Sequence, residues 1–367
     1  MGAPLRVGVV GCGLVAQVMH LHYLRELPEL FEVVALCDVS DELREQCARD
    51  YHVKFSCGDW RDLLDQRLDA VLILTSGSHA PIAIAAAEAG LHVLVEKPMC
   101  FSVAEGHAMI AAAERAGRVL MVAYNKRYDP AYQRFAEEVR HAKDVRLARI
   151  TTLEAPFLPY VSHYRLHKAG SLPQQTQTAF ARDNAERIAA AIGEVDPLSA
   201  RAYHLVLLDS LVHEFNTIRG LLGEPDQLDF ADISEHGVTV ALRFGQTRCV
   251  LNWVDLPGIT RYSMEFALYA PESRLTLSFP SPFLRNAPTL LTREGGDLGT
   301  ARSWQTEEIT SYDESFRAEL IHFHDCATSG KAPITSARDA LHDIALCQSV
   351  IEVHRRGVVR ASPTDIG

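Results

Sequence analysis

The feature that most constrains this chain is a mostly apolar run, residues 5–10, that leads directly into closely spaced glycines. Gly11, Cys12, Gly13, Leu14, Val15 and Ala16 follow it. Glycines permit a tight turn and close backbone approach, and helical sequence from Ala16 to Leu27 comes next. Strand, glycine turn and helix in this order are the first unit of a parallel sheet, and the helix N-terminus offers unpaired N–H groups to a pyrophosphate.

The sequence from residue 5 to about 125 keeps this alternation. Apolar runs end near residues 40, 76, 97 and 125, with a weaker one at 53–55, and helices are predicted over 41–50, from Pro81 to Gly90 and from Ser102 to Gly117. Continuous apolar strands between helices are buried on both faces, which is typical of a doubly wound sheet. We therefore predict an α/β protein whose residues 1–125 form a Rossmann domain that binds a dinucleotide.

The second half has a different pattern. Apolar and polar residues alternate, as in Val238, Val240, Leu242 and Phe244, which predicts a large, open, mainly antiparallel sheet with one covered face. Helices are predicted at 209–222 and 312–329. We assign 126–335 to an α+β domain for substrate and oligomer contacts, with an insertion at about 154–204 that turns helical from about Leu172 to Ile192. The last segment, 336–367, is predicted to pack back on the first domain.

Composition limits the classes of partner that the chain is expected to bind. The formal net charge of −11 argues against nucleic acid and anionic membranes, and no apolar run is long enough to span a bilayer. The eight cysteines are scattered without zinc-like spacing, which favours a reduced, cytoplasmic setting and no metal site. His322 and His324 are two positions apart on a predicted helix, so they point apart rather than at one metal.

Asp38 ends the second strand, 22 residues after Ala16, where a carboxylate can accept hydrogen bonds from both adenosine ribose hydroxyls. Val39 and Ser40 follow it and offer no cation to a 2′-phosphate. The sequence therefore favours NAD over NADP, although Arg44 keeps NADP open. The alternative is a Rossmann-like domain that binds another nucleotide or none.

A second group of polar residues suggests catalysis. Asp209, His213 and Asn216 fall on one face of a predicted helix, and Lys97 ends a parallel strand at the edge where ligands bind. Oxidising an alcohol needs a base, for which His213 is suited, and a cation for the alkoxide, which Lys97 can supply. Asp209 would fix the imidazole tautomer, and burial would lower the pKa of Lys97 enough for proton relay. The Lys97–Pro98 bond is predicted to be cis. The alternative is a solvated helix face.

Four motifs together resemble the glucose-fructose oxidoreductase / inositol dehydrogenase / rhizopine catabolism (Gfo/Idh/MocA) family: Gly11–Ala16, Glu96-Lys97-Pro98, Tyr124–Tyr128 and Asp209-x3-His213. The resemblance implies NAD(P)-dependent oxidation or reduction of a ring hydroxyl, a homo-oligomer (dimer or tetramer), and Lys97, Asp209 and His213 as catalytic residues. It also places further residues beside the cofactor, namely Thr75, Ser76, His79, Glu96, Lys97 and Asn125. Tyr124 and Arg127 would meet the substrate. His79 is equally explained as a cap of the helix opened by Pro81.

Three departures from the family pattern stand out. The segment after the fourth strand lacks a proline often found there, Asn216 replaces a frequent aspartate, and Lys97 and Asp209 are 112 positions apart, wider than in compact members. The extra length is the 154–204 insertion, which would cover the substrate with Tyr160 and His163 or serve as an oligomer arm. Trp253 and Trp304 lie in predicted strands, where aromatic residues are common.

The sequence thus predicts an NAD-dependent dehydrogenase that acts on a secondary hydroxyl of a sugar, aminosugar, aminoglycoside, cyclitol or glycoside. The acidic net charge favours a cationic amino sugar. One alternative is a redox-neutral glycosidase or epimerase-like enzyme that oxidises a ring transiently with bound NAD. The other is a dinucleotide sensor without catalytic activity.

Overall fold

The computed structural model describes residues 3–357, so the last ten positions of the predicted 336–367 segment lie outside the described residues. The first half contains six parallel strands in the order β3-β2-β1-β4-β5-β6, which confirms the doubly wound sheet. Their bounds are β1 (Leu5–Val10), β2 (Phe31–Cys37), β3 (Phe55–Cys57), β4 (Ala70–Ile73), β5 (His92–Glu96) and β6 (Leu120–Ala123). The weak third strand begins two residues later than the sequence pattern predicted.

Helices join these strands. A π-helical segment, Ala16–His20, continues into α1 (Leu21–Glu26). The others are α2 (Asp41–Asp50), α3 (Trp60–Leu64), α4 (Ala80–Glu88) and α5 (Val103–Ala116). Ser102, where the sequence predicts this helix to begin, caps α5, because its hydroxyl accepts a hydrogen bond from the Glu105 N–H at 3.2 Å. Gly117, with φ of 61°, ends that helix in the left-handed conformation.

The second half contains an eight-stranded sheet in the order β14-β13-β12-β11-β7-β10-β9-β8. Among the described strands of this sheet, only β7 and β10 pair in parallel, so the predicted, mainly antiparallel sheet is confirmed. The strands are β7 (Leu147–Glu154), β8 (Gln227–Ser234), β9 (Gly237–Phe244), β10 (Thr247–Asp255), β11 (Ser263–Tyr269), β12 (Arg274–Phe279), β13 (Leu290–Asp297) and β14 (Arg302–Ile309). The apolar positions of β9 are buried, as the alternation predicted.

In this half, the residues that the structure describes form seven further helices. They are α6 (Pro130–His141), α7 (Leu158–Val161), α8 (Gln174–Ile192), α9 (Pro197–Ala202), α10 (Val212–Leu222), α11 (Ser315–Ser329) and α12 (Ala337–Arg356). A 3-10 turn, Asn125–Tyr128, precedes α6, and a π-helical segment, Tyr203–Leu211, leads into α10. No helix within residues 3–357 is long and apolar enough to cross a membrane.

Helix α12 contacts both halves of the molecule. Its Gln348 side chain accepts a hydrogen bond from the Val103 N–H at 3.2 Å, at the start of α5. Toward the second half, the guanidinium of Arg219 in α10 lies 2.6 Å from Asp343, and both side chains are almost fully buried. Breaking such a buried pair would leave an uncompensated charge, so α10 and α12 are held in one position.

Candidate active site

The glycine loop leaves a cradle that fits a dinucleotide. Gly11 has φ of +100°, and a Cβ there would lie 2.8 Å from the backbone carbonyl of Leu74, so only glycine suits this turn. A Cβ on Gly13, by contrast, would meet no atom within 4 Å. This open space lies beside a helix N-terminus, where backbone N–H groups attract a pyrophosphate. Cys12 is fully buried and fills space beneath the loop.

Asp38 stands beside this loop. Its Oδ2 accepts a hydrogen bond from the Cys12 N–H at 2.8 Å, and its Oδ1 accepts one from the Ser40 N–H at 2.9 Å. The carboxylate therefore ties the end of β2 to the glycine loop, and its remaining lone pairs are available to ribose hydroxyls. Arg44 donates to the Asp38 carbonyl at 3.1 Å and to Asp41 at 2.7 Å.

Lys97 follows the last residue of β5, and its bond to Pro98 is cis, as predicted. The Lys97 ammonium donates to the carboxylate of Asp209 at 2.9 Å and to the carbonyl of Asp209 at 2.6 Å. Burial alone would lower the pKa of Lys97, but the charges of Asp209 and Glu96 outweigh it and raise that pKa. The prediction that burial lowers the pKa of Lys97 is therefore wrong, and Lys97 stays a cation.

His213 lies next to Lys97 in the same cavity. Its Nδ1 is buried with no hydrogen-bond partner within residues 3–357, and its ring packs edge-on against Tyr124 at 5.9 Å. Burial and the charges of Lys126 and Lys97 hold the pKa of His213 well below its usual value, so the imidazole is neutral at neutral pH. The predicted Asp209–His213 pair is not formed, because Asp209, in the π-helical segment, turns to Lys97 instead.

A cavity of about 340 Å³ separates the two halves at this point, a size common for small-molecule sites. Lys97, Asp209 and His213 all contribute to its lining. Aromatic and acidic side chains supply much of the remaining wall: Phe157, Tyr160, Trp253, Tyr262, Phe283, Glu154 and Asp255. Register pairs Glu154 on β7 with Asp255 on β10, which places these two acids on neighbouring strands.

Lys126 also lines the cavity, although sequence reasoning selected its neighbours Tyr124 and Arg127 instead. Burial lowers the pKa of Lys126 and raises that of Glu214, whose carboxylate accepts a 2.5 Å hydrogen bond from Thr152. The 3-10 turn at Asn125–Tyr128 decides which side chain faces the cavity. The sequence motif contains Lys126, but its spacing does not reveal that turn.

Four residues predicted to contact substrate do not line the cavity. Tyr124 is buried beneath the His213 ring. The Asn216 amide donates to Asp339 and Asp343 of α12 at 2.9 and 2.8 Å, and Arg127 donates to the Asn216 carbonyl at 3.2 Å. His163 is exposed outside the cavity and stacks on Tyr164. Tyr160 does line the cavity, with its hydroxyl between the Thr260 carbonyl and the Tyr262 N–H.

The predicted cofactor residues are distributed between the sheet edge and the interior. Both ring nitrogens of His79 lie 2.7 Å from backbone carbonyls, those of Thr75 and Pro98. His79 therefore joins two loops of the edge, and its side chain neither caps α4 nor faces outward. Asn125 donates to the Ser315 hydroxyl at 2.8 Å, away from the edge. Thr75 and Ser76 follow β4 at that edge.

Glu96 is also turned inward. It accepts from the Lys97 N–H at 3.1 Å and lies 2.7 Å from the Nε2 of His20. Burial opposes its negative charge, but the bond to His20 and the charge of Lys97 outweigh burial and lower the pKa of Glu96. The buried pair of Glu96 and His20 therefore contributes to the electrostatic surroundings of Lys97.

Replacing His20 by phenylalanine is expected to lower the free energy of unfolding by about 1–3 kcal/mol at neutral pH, because a buried carboxylate loses a donor. A carboxyl whose pKa is lowered by folding stabilises the protein above its unfolded pKa. That contribution disappears as pH falls through the folded pKa, so the difference from wild type should narrow in acid. Urea denaturation across pH measures this. His22→Phe is the control, since His22 pairs with a half-exposed Glu26; an equal loss in both variants would contradict the assignment.

No group of three or more histidine, cysteine, aspartate or glutamate residues within the described chain is arranged to hold a metal ion. The candidate site consists of a cavity that is lined by a cation, a neutral imidazole and several acids and lies next to a dinucleotide cradle.

The chain is similar to several known proteins. A family model described as an oxidoreductase family with an NAD-binding Rossmann fold matches residues 5–124. Myo-inositol 2-dehydrogenase of Thermotoga maritima is 23% identical over 351 residues, covering 91% of this chain and 92% of that protein. D-apiose dehydrogenase of Paraburkholderia graminis is 26% identical over 365 residues, covering 95% and 87%.

A 3-ketoreductase from Actinomadura kijaniata, solved in complex with NADP, has a similar fold. Its TM-score is 0.72 with 19% identity, and the match covers 95% of this chain and 97% of that one. The shared fold extends across both halves of the chain, including the second sheet that carries most of the cavity wall.

Proposed function

Because the chain belongs to the Gfo/Idh/MocA family of oxidoreductases, which act on CH–OH groups, we propose that it is an NAD-dependent dehydrogenase of a sugar-like or cyclitol substrate. The observation that supports this proposal is that a cationic group and a neutral base line the same cavity. Lys97 is held as a cation and His213 as a neutral base, and both line the cavity beside the dinucleotide cradle.

The chemistry proposed for the oxidation direction uses these two residues. The His213 imidazole takes the proton of the substrate hydroxyl, because it is neutral and reaches the cavity. The Lys97 ammonium stabilises the negative charge that develops on the oxygen, and Asp209 holds that ammonium in place. A bound nicotinamide would supply the hydride acceptor. In the reduction direction, Lys97 polarises the carbonyl and His213 returns the proton.

NAD is proposed as the cofactor from the surroundings of Asp38. A carboxylate at the end of β2 binds ribose hydroxyls but repels a 2′-phosphate. Arg44, the nearest cation considered in the sequence, is held by Asp41 and the Asp38 carbonyl. The structural neighbour bound to NADP shows that this fold also accepts the phosphorylated cofactor.

The proposed substrate class follows from the cavity wall and from the relatives. Aromatic faces such as Trp253 and Tyr262 suit the C–H faces of a ring, and acids such as Glu154 and Asp255 accept hydrogen bonds from hydroxyl or ammonium groups. The similar proteins act on inositol and apiose by name. An amino sugar is the narrower proposal, which the net charge of −11 also favours.

A homo-oligomer is also proposed. The outermost strand of the second sheet, β14, is exposed over most of its length, with the Trp304 side chain half-exposed. A second copy of the chain would shield this edge and the neighbouring sheet face. Oligomeric state is measured directly by light scattering on a size-exclusion column.

The function is tested by incubating the protein with NAD or NADP and a panel of cyclitols, neutral sugars and their amino analogues. We expect NADH to accumulate with at least one cyclic polyol, and NAD to be preferred over NADP. Conversion of substrate without NADH accumulation would instead support the redox-neutral alternative. Turnover with NADP alone would overturn the cofactor proposal, and no turnover of any panel member would count against the substrate class.

A further inference from the structure

We propose that residues 163–187, here called the strap, form a second wall of the dinucleotide site and slow the release of the cofactor. This rests on the proposed function only in that a nicotinamide dinucleotide binds at the glycine loop. The strap is the central part of the insertion, and its anchors lie on the first domain of the same chain. Of the insertion, the stretch before the strap contributes Tyr160 to the substrate cavity.

The first anchor of the strap is shared with the glycine loop. The side-chain Oε1 of Gln17 accepts a hydrogen bond from the His167 N–H at 2.8 Å, and the side-chain Nε2 of Gln17 donates to the His167 carbonyl at 3.1 Å. The same amide donates to the Cys12 carbonyl at 2.9 Å. One buried side chain therefore connects the strap backbone to the loop that would hold the pyrophosphate.

The second anchor lies on α2. The Nε2 of His167 is 2.7 Å from the carboxylate of Asp50, which lowers the pKa of that aspartate. Three residues later, Gly170 lies so close to Glu42 that a Cβ would be 3.1 Å from its carboxylate. Glu42 is in the first turn of α2, whose N-terminal cap is Ser40. The strap thus runs along α2 up to the adenosine end of the edge.

The third anchor lies on the other side of the sheet. Arg187 of α8 forms ion pairs with Glu105, in the first turn of α5, and with Asp183 at 2.7 Å. Asn184 lies against Gly77, where a Cβ would be 3.1 Å from its side-chain oxygen. Gly77 belongs to the loop after β4, which forms the opposite wall of a dinucleotide groove.

These anchors make the strap cross the carboxyl edge of the sheet. Right-handed crossovers place α2 on one face and α5 on the other, because the strand order runs outward from β1 to β3 and in the opposite direction from β4 to β6. A dinucleotide binds along that edge, at the point where the order reverses. A strap joined to α2 at one end and to α5 at the other therefore encloses it.

The strap is held mainly by polar contacts, and its apolar contacts with the core are those of the partly buried Tyr164 and Leu166 at its start. Within α8, Ile192 is the one buried residue, and it lies beyond the strap. Segments with few buried apolar contacts open at low free-energy cost compared with global unfolding. The strap can therefore open for cofactor exchange, and the anchors at His167 and Arg187 set how often it does so.

The test measures the dissociation rate of NADH by stopped-flow fluorescence, without substrate. The double variant His167→Ala/Arg187→Ala is expected to release NADH roughly 10-fold faster than wild type, because two charge-assisted anchors are lost. The control is Arg182→Ala, since Arg182 is highly exposed and pairs with Glu186 on the same helix. Its dissociation rate should equal that of the wild type.

An unchanged dissociation rate in the folded double variant would overturn the strap and leave the proposed function intact. Failure of the wild type to bind NADH or NADPH would overturn the proposed function and the strap together. If the double variant does not fold, Arg187→Ala alone provides the measurement, because this side chain is partly exposed. Faster proteolysis within 163–187 in that variant, reversed by NADH, is the second expected result.

Discussion

Replacing Lys97 by alanine should lower kcat by about 10²- to 10³-fold, the usual effect of removing a charge that stabilises a developing oxyanion. In this site the loss has two parts. The alkoxide loses its cation, and the Asp209 carboxylate, now without its 2.9 Å partner, faces the cavity as an unpaired negative charge. Both raise the barrier for a reaction in which negative charge forms on the substrate oxygen.

The measurement is steady-state oxidation of the substrate with saturating NAD, together with a fluorescence titration of NADH. Cofactor affinity should change little, because the Lys97 ammonium points to Asp209 rather than to the glycine loop. Lys54→Ala is the matched control, as Lys54 is exposed and lies outside the cavity. If Lys97→Ala kept more than a tenth of the wild-type kcat, the electrostatic role of Lys97 would be wrong.

Replacing His213 by alanine should lower kcat by about 10²- to 10⁴-fold, as expected for a general base. The pH profile gives a sharper result. Because burial, Lys126 and Lys97 lower the pKa of His213, the imidazole stays neutral below its usual titration range. The acid limb of kcat/KM in the wild type should therefore lie below the ordinary histidine pKa of about 6.5.

Lys126→Met tests this assignment, because it removes a neighbouring positive charge and keeps an unbranched side chain that is only one atom shorter. The pKa of His213 should rise, and the acid limb should move to higher pH. Arg134→Met is the control, since Arg134 is half-exposed on α6, away from the cavity. An acid limb that stays in place in Lys126→Met would show that another group titrates there.

The first half of the fold was predictable because its signals are local. A doubly wound sheet is indicated by fully apolar strands between helices. Ser102 marks the start of a helix, and the glycines at 11 and 13 mark the turn after the first strand. The position of Lys97 follows from the same logic, since a residue at the end of a parallel strand lies at the ligand-binding edge. The alternation in β9 likewise predicted which residues are buried.

The parts of the site that sequence did not reveal depend on helix register and on long-range contacts. A π-helical segment before α10 changes the direction of Asp209, so its partner is Lys97 and not His213. Asn216 sits on the predicted face, yet two acids of α12 bind it, and these are more than a hundred positions away. Neither contact has a signature in local spacing.

All eight cysteines are free and buried in the folded chain. Thiol reagents reach buried cysteines slowly, so the natural protein already serves as an unreactive background for site-directed labelling. The substitution Arg182→Cys would introduce the one readily modified thiol, because the Arg182 side chain is 78% exposed on α8. A fluorophore attached there would report the movement of the strap in real time, and none of the native cysteines would need to be replaced.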